Sequence, residues 1–257
     1  MKIPIVMAAF GTTGKALETY SFIDEKCKKR FPEHEIFWAF SSRMVKDLIK
    51  KSRNIDLLFP NQVLSQLKAK GYLWAVVQSV HLTCGHEFYR LVEDVKGCDI
   101  RTSIGLPLLS NFEDYIAVVR AMQSAFCSLR NEAVVMVGHG TDHPSCSSYA
   151  ALQYMLNQKS GGRIYIGVIE DGWPSMEEVV ESVKKSGYKK IRLVPFLLVA
   201  GIHFKEDLIG KEDSWKTCFE REHISVVIEN KGLGFNNGIV DIFFKHIEDA
   251  IDVIPVS

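Results

Sequence analysis

The sequence predicts an α/β fold of two similar Rossmann-like lobes, each a parallel sheet flanked by helices. Three observations carry this expectation. Apolar runs of four to eight residues alternate with segments of helical period. The runs are rich in Val, Ile and Phe and lack strict alternation, as in strands covered on both faces. The series also recurs: Val6-Met-Ala-Ala-Phe-Gly-Thr12 resembles Val135-Met-Val-Gly-His-Gly-Thr141, 129 positions on. Strand–helix alternation calls for parallel, right-handed crossovers. A duplicated series calls for two lobes enclosing a cleft.

In chain order, strands are expected at residues 3–9, 35–40, 73–80, 100–104, 133–137, 163–169, 190–199 and 224–229. Helices between them carry punctuation. One runs over 60–70, with Pro60 in its first turn and Gly71 just past its end. Another starts at Pro174, gathers Glu177 and Glu178 near its positive end and stops at Gly187. Residues 36–40 and 165–169 share the 129-residue offset. Gly85 and Gly201, and Glu87 and His203, are related by 116. The lobes are therefore placed at 1–128, joined by a C-terminal helix at 237–253, and at 129–236.

Composition narrows the function. The chain has 257 residues, with 31 Lys+Arg against 31 Asp+Glu. Zero net charge argues against a nucleic-acid partner, since neutralising phosphates needs a basic surplus. At 47% hydrophobic residues it buries enough apolar surface to fold. The apolar start, Met1 to Phe10, is too short to span a membrane and reads as a strand, not a signal peptide; a leader removed before it is left open. The six cysteines form no C-x-x-C, so they read as reduced core residues of a cytoplasmic protein.

The chemistry gathers where strands end, the edge at which open α/β sheets bind ligands. Gly138-His139-Gly140-Thr141-Asp142-His143 follows the strand at 133–137, with glycines on both sides of His139 allowing close approach. Val199-Ala-Gly-Ile-His203 and Thr83-Cys-Gly-His-Glu87 follow two more strands. Singly, each of these residues is as well explained by a helix cap or first-turn acid. Together, His139, Glu87 and His203 form a nitrogen–oxygen donor set suited to a borderline divalent ion. Cys84 and His86 flank Glu87 as weaker ligand candidates. Other motifs fail. Gly11-Thr-Thr-Gly-Lys15 is too short for a phosphate loop, and Gly232-Leu-Gly-Phe-Asn-Asn-Gly238 does not fit the dinucleotide fingerprint, so no nucleotide is expected.

These segments are similar to those of anaerobic cobalt chelatases of the CbiK type, within the class II chelatases that include CbiX and ferrochelatase. The similarity runs over essentially the whole chain and includes Ala-Phe-Gly-Thr, His-Gly-Thr-Asp-His, Gly-His-Glu and Val-Ala-Gly-Ile-His. It implies the chelatase fold and ATP-independent insertion of Co2+ into sirohydrochlorin (factor II or precorrin-2) in cobalamin biosynthesis, with Fe2+ as the other candidate metal. The family's metal-binding and catalytic His, Glu and His fall on His139, Glu87 and His203. In the short relatives the equivalent of Phe10 is itself a histidine. The tetrapyrrole pocket is expected to include Phe10, Gly11, Thr12, Gly140, Thr141 and Gly201, with Trp173 against a ring face. Arg43, Lys46, Arg90, Arg101 and Lys205 are candidates to meet the substrate's carboxylates. No membrane partner is expected, and a homo-oligomer is left open. Iron insertion for siroheme or haem, and a non-enzymatic tetrapyrrole or metal carrier, are the competing readings.

Overall fold

A computed structural model describes residues 2–54, 56–126 and 131–252. Cys127 and the expected lobe boundary at 128/129 lie outside the described residues, as does residue 253 of the expected last helix. The chain packs as two units, Met1–Ser110 with Ile239–Ser257, and Asn111–Gly238.

The first unit holds β1 (Ile5–Ala9), α1 (Glu18–Arg30), β2 (Ile36–Phe40), α2 (Arg43–Arg53), α3 (Pro60–Ala69), β3 (Trp74–Ser79), α4 (His86–Lys96) and β4 (Arg101–Gly105). Its strands form a parallel sheet in the order β2-β1-β3-β4. Every residue of β1 is buried, which explains its unbroken apolar run. Val6, Ala8 and Val77 pack with Val63, Leu64 and Leu67 of α3 and Leu91 of α4. Each of these Val and Leu side chains contributes about 1.5–3 kcal/mol by burial. Helix α3 begins with Pro60, whose missing N–H costs nothing in the first turn, and Gly71 follows it at φ +88°. The last helix, α9 (Asn237–Asp252), belongs to this unit from Ile239 onward. It buries Val240, Phe243 and Ile247, sets Phe244 edge-on against Phe31 and bonds His246 Nδ1 to the Leu106 carbonyl at 2.8 Å.

The second unit holds α5 (Phe112–Phe126), β5 (Ala133–Gly138), α6 (Ser147–Ser160), β6 (Ile164–Val168), α7 (Met176–Lys185), β7 (Lys190–Pro195), α8 (Trp215–Arg221) and β8 (Ser225–Ile228). Its order, β6-β5-β7-β8, repeats that of the first unit. Val135, Val137 and Leu193 pack with Val179 and Val183 of α7 and Trp215 and Phe219 of α8.

All eight expected strands are present. The seventh stops at Pro195, four residues short of the expected end, where proline's missing N–H breaks the ladder. Helix α7 starts after Pro174. Its N-cap is Ser175, whose Oγ accepts from Glu178 N at 3.3 Å while its own N–H donates to Glu178 Oε2 at 2.8 Å. Among the described residues the five cysteines are free, and burial pushes the Cys27 thiol up to about 12. No described helix is long and apolar enough to cross a membrane.

Candidate metal centre

In the second unit, His139 follows β5 directly, and its neighbouring glycines have distinct jobs. A Cβ on Gly138 would lie 2.5 Å from the Tyr149 ring, so the absence of a side chain lets that ring pack over the strand end. Gly140 has φ +94°, and a Cβ there would lie 2.7 Å from the Asp171 carbonyl and 3.1 Å from that of Glu170. The His139 loop therefore presses against the loop after β6 because position 140 is glycine. Backbone bonds lock the two together: Glu170 N–H donates to the His139 carbonyl at 2.8 Å and Ile169 N–H to the Gly138 carbonyl at 3.0 Å.

This contact brings in a residue that the motif reading missed. Nε2 of His139 lies 3.5 Å from Oε1 of Glu170. His203, reached by the chain after β7, sets its ring edge-on to His139 with 4.7 Å between centroids. One ligand atom from each of His139, Glu170 and His203 lies within 4.8 Å of the others, the one such group of three or more His, Cys, Asp or Glu among the described residues. Around an ion bonded at ~2.1 Å the donors would stand about 3–4 Å apart, so small side-chain rotations close the site. The side chains of His139 and Glu170 are about half exposed (46% and 53%) and that of His203 is 37% exposed, which leaves an incoming ligand access.

The signal for Glu170 lay in the register. The 129-residue offset matches residues 36–40 to 165–169, but the ladders pair Ile5 with Ile36 and Val134 with Ile164, so the second strands correspond at an offset of 128. On that register Glu170 stands where the first unit has Ser42, whose N–H donates to the Phe10 carbonyl at 3.0 Å as that of Glu170 does to His139.

Glu87 lies in the first unit, in the first turn of α4. Its Oε2 accepts from Ser41 Oγ at 3.2 Å and its Oε1 meets Arg90 at 3.0 Å. Phe10 is 44% exposed at the end of β1, Gly11 takes φ +107° and Thr12 is buried. Thr141 Oγ1 accepts from His143 N–H at 3.1 Å, and Gly201 N–H donates to the Val199 carbonyl at 3.0 Å. Trp173 is exposed, with Nε1 donating to Glu178 Oε1 at 2.9 Å. Cys84 Sγ lies 3.4 Å from Ser110 Oγ.

Of the cationic candidates, Arg43 is exposed at the start of α2, and Lys205 is exposed just after His203. Lys46 is engaged with Asp56 at 3.3 Å and lies over the Phe59 ring. Arg101 opens β4, so it stands at the amino end of its strand, stacked on Trp74, away from the edge that carries ligands. His81, at the end of β3, accepts or donates at Nδ1 to Ser79 Oγ at 2.8 Å. Its Nε2 is buried without a hydrogen-bond partner among the described residues, and burial lowers its pKa to about 4.

The family model described as cobalt chelatase (CbiK) matches residues 4–252. A sirohydrochlorin cobaltochelatase of Salmonella typhimurium is 31% identical, with 98% of each chain covered. The sirohydrochlorin cobaltochelatase CbiKC of Nitratidesulfovibrio vulgaris is 30% identical over 97% of this chain and 91% of its own. Among solved structures, SirB from Bacillus subtilis with Fe3+ superposes with a TM-score of 0.68 at 16% identity, covering 98% of this chain and 96% of that one. CbiX, described as the terminal enzyme of siroheme biosynthesis in denitrifying bacteria, gives 0.57 at 11% identity, covering 96% of this chain and 99% of that one. At such identities the structures speak for the fold.

Proposed function

The chain belongs to the cobalt chelatase (CbiK) family, and on that premise we propose that it inserts Co2+ into sirohydrochlorin, without ATP, through His139, Glu170 and His203. The observation that carries the site is the convergence of two imidazoles and one carboxylate within 4.8 Å. Neutral imidazole and carboxylate hold a borderline ion without the tight grip of thiolates. Their exposure leaves coordination positions for the incoming tetrapyrrole.

The reaction exchanges one Co2+ for two pyrrole N–H protons, so charge balances. The four metal–nitrogen bonds formed to the ring replace the three bonds to the protein and those to the ion's remaining water. As the ion leaves, the nitrogens of His139 and His203 regain their lone pairs and can accept the released protons. Glu170 keeps the charge of the emptied site negative, favouring that uptake. Glu87, paired with Ser41 and Arg90, is retained as a proton relay or further ligand. Irving–Williams affinities rise beyond cobalt, so the choice of cobalt rests on geometry and supply.

The test is the cobalt-dependent change in the visible spectrum of sirohydrochlorin. It should proceed for many turnovers per chain without nucleotide and be lost in His139→Ala while the circular dichroism stays native. Binding without turnover makes the protein a carrier, and faster charging by Fe2+ in direct competition makes it an iron chelatase. Glu170→Gln against Glu87→Gln, compared for cobalt affinity, identifies which carboxylate grips the ion.

A further inference from the structure

Beyond the three donors, His203 has a second carboxylate neighbour. Its Nδ1 lies 2.9 Å from Oδ2 of Asp207, four residues on. The segment between them, Phe204–Leu208, is a π-helical turn, closed by Ile209 N–H donating to the Phe204 carbonyl at 3.2 Å. Such turns are rare and recur at functional sites. This one is built in firmly: Phe204 and Leu208 are buried in the core of the second unit, and a Cβ on Gly210 would lie only 2.1 Å from the Glu206 carbonyl.

We infer that Asp207 is a positioning residue for metal capture, holding His203 in the tautomer whose Nε2 faces the ion. An ionised carboxylate can only accept a hydrogen bond, so the 2.9 Å contact requires the proton on Nδ1. The single lone pair of the neutral ring then belongs to Nε2. Free imidazoles exchange between tautomers, so without Asp207 part of the population would present a proton to the ion. The carboxylate also fixes the ring plane and raises the basicity of the ligating nitrogen. Among the described residues Nδ1 of His139 meets no carboxylate, only the Gly140 carbonyl at 3.4 Å. His203 is thus the pre-set arm of the site and His139 the arm that adjusts.

The inference rests on the metal-site reading above, and its test separates the two. Histidine-labelled, metal-free protein is examined by 15N NMR at mildly alkaline pH, with the His203 signal assigned by His203→Gln. The wild type should show Nδ1–H at His203, and Asp207→Ala should convert it to a mixture containing Nε2–H. Cobalt affinity of the same variant, read from the Co2+ visible spectrum, should fall roughly 10- to 100-fold. Asp207→Asn, whose Oδ1 still accepts, should restore the tautomer and most of the affinity. Asp207 is 38% exposed at its side chain, so its removal leaves the core intact, and Asp207→Ser provides a second truncation. An unchanged tautomer in Asp207→Ala, or wild-type cobalt affinity in it, overturns the inference. A wild-type cobalt spectrum indifferent to His139→Ala and His203→Ala overturns the metal-site reading instead, and the tautomer measurement still decides whether Asp207 sets the ring.

Discussion

At the end of β1 the first unit presents Phe10, and at the corresponding end of β5 the second presents His139. After β2 comes Ser42, which accepts from Val45 N–H and caps α2, and after β6 comes Glu170, which faces an imidazole. After β3 comes Glu87, paired with Ser41 and Arg90, and after β7 comes His203, paired with Asp207. The frames are alike even to the glycines: Gly11 takes φ +107° and Gly140 φ +94°. What separates a clustered donor set from a capped, hydrogen-bonded edge is therefore side-chain identity at a few strand ends, with the backbone repeated beneath them.

The largest expected effect breaks this asymmetry directly. His139→Ala and His203→Ala should each lower the cobalt-insertion rate by at least about 100-fold. Phe10→Ala, at the matching position, should leave Co2+ affinity within error in a spectral titration.

Acid should then distinguish the units' internal polar groups. His81 has a folded pKa lowered to about 4, below the ordinary 6.5 of the unfolded chain. The stability from keeping it neutral is complete above about 6.5 and declines as pH falls towards 4, amounting to at most about 3 kcal/mol. In the second unit, burial pushes Glu132 up, but hydrogen bonds from Lys190 and Arg192 outweigh it and hold the carboxyl below its usual range. Its contribution is lost only as pH drops below about 4.5. Urea unfolding from pH 7 to 4 should therefore weaken the wild type, and His81→Gln should flatten that slope.

The glycine pair sharpens the comparison further. Alanine at either position costs about 1–3 kcal/mol of backbone strain in thermal unfolding. At Gly140 the new Cβ would also push on the carbonyls of Glu170 and Asp171, so cobalt affinity should fall about tenfold. At Gly11 its three nearest neighbours would be side-chain atoms of Val45 and Phe40, and cobalt affinity should not change. The smallest effect is expected from Ser175→Ala, which removes the α7 cap for about 1 kcal/mol by denaturant titration with unaltered metal binding.

The eight strands were legible because buried parallel strands leave continuous apolar runs, and the strand ends at His139 and His203 because flanking glycines and a change to polar residues mark them. Glu170 was not, for a reason of register. Read at an offset of 129, residues 36–40 match 165–169, yet the ladders match Ile36 with Ile164. Side chains alternate faces, so a slip of one residue assigns each the wrong direction. Asp207 had a visible cue in its i,i+4 spacing from His203, but nothing in the local sequence announces a π turn. The pairing of Glu87 with Ser41 was not legible either, since it joins residues 46 positions apart.

Helix α9 gives the architecture an order in time. The second unit is one uninterrupted stretch, Asn111–Gly238, whereas the first is closed by a helix from the far end of the chain. As the polypeptide emerges from the ribosome, the later-encoded half therefore has all its parts first. The earlier half must wait with Phe31 and the Leu106 carbonyl uncovered until Phe244 and His246 arrive. A stop codon ahead of α9 would thus leave the half with the clustered donors holding all its strands and its amino-terminal companion unfinished.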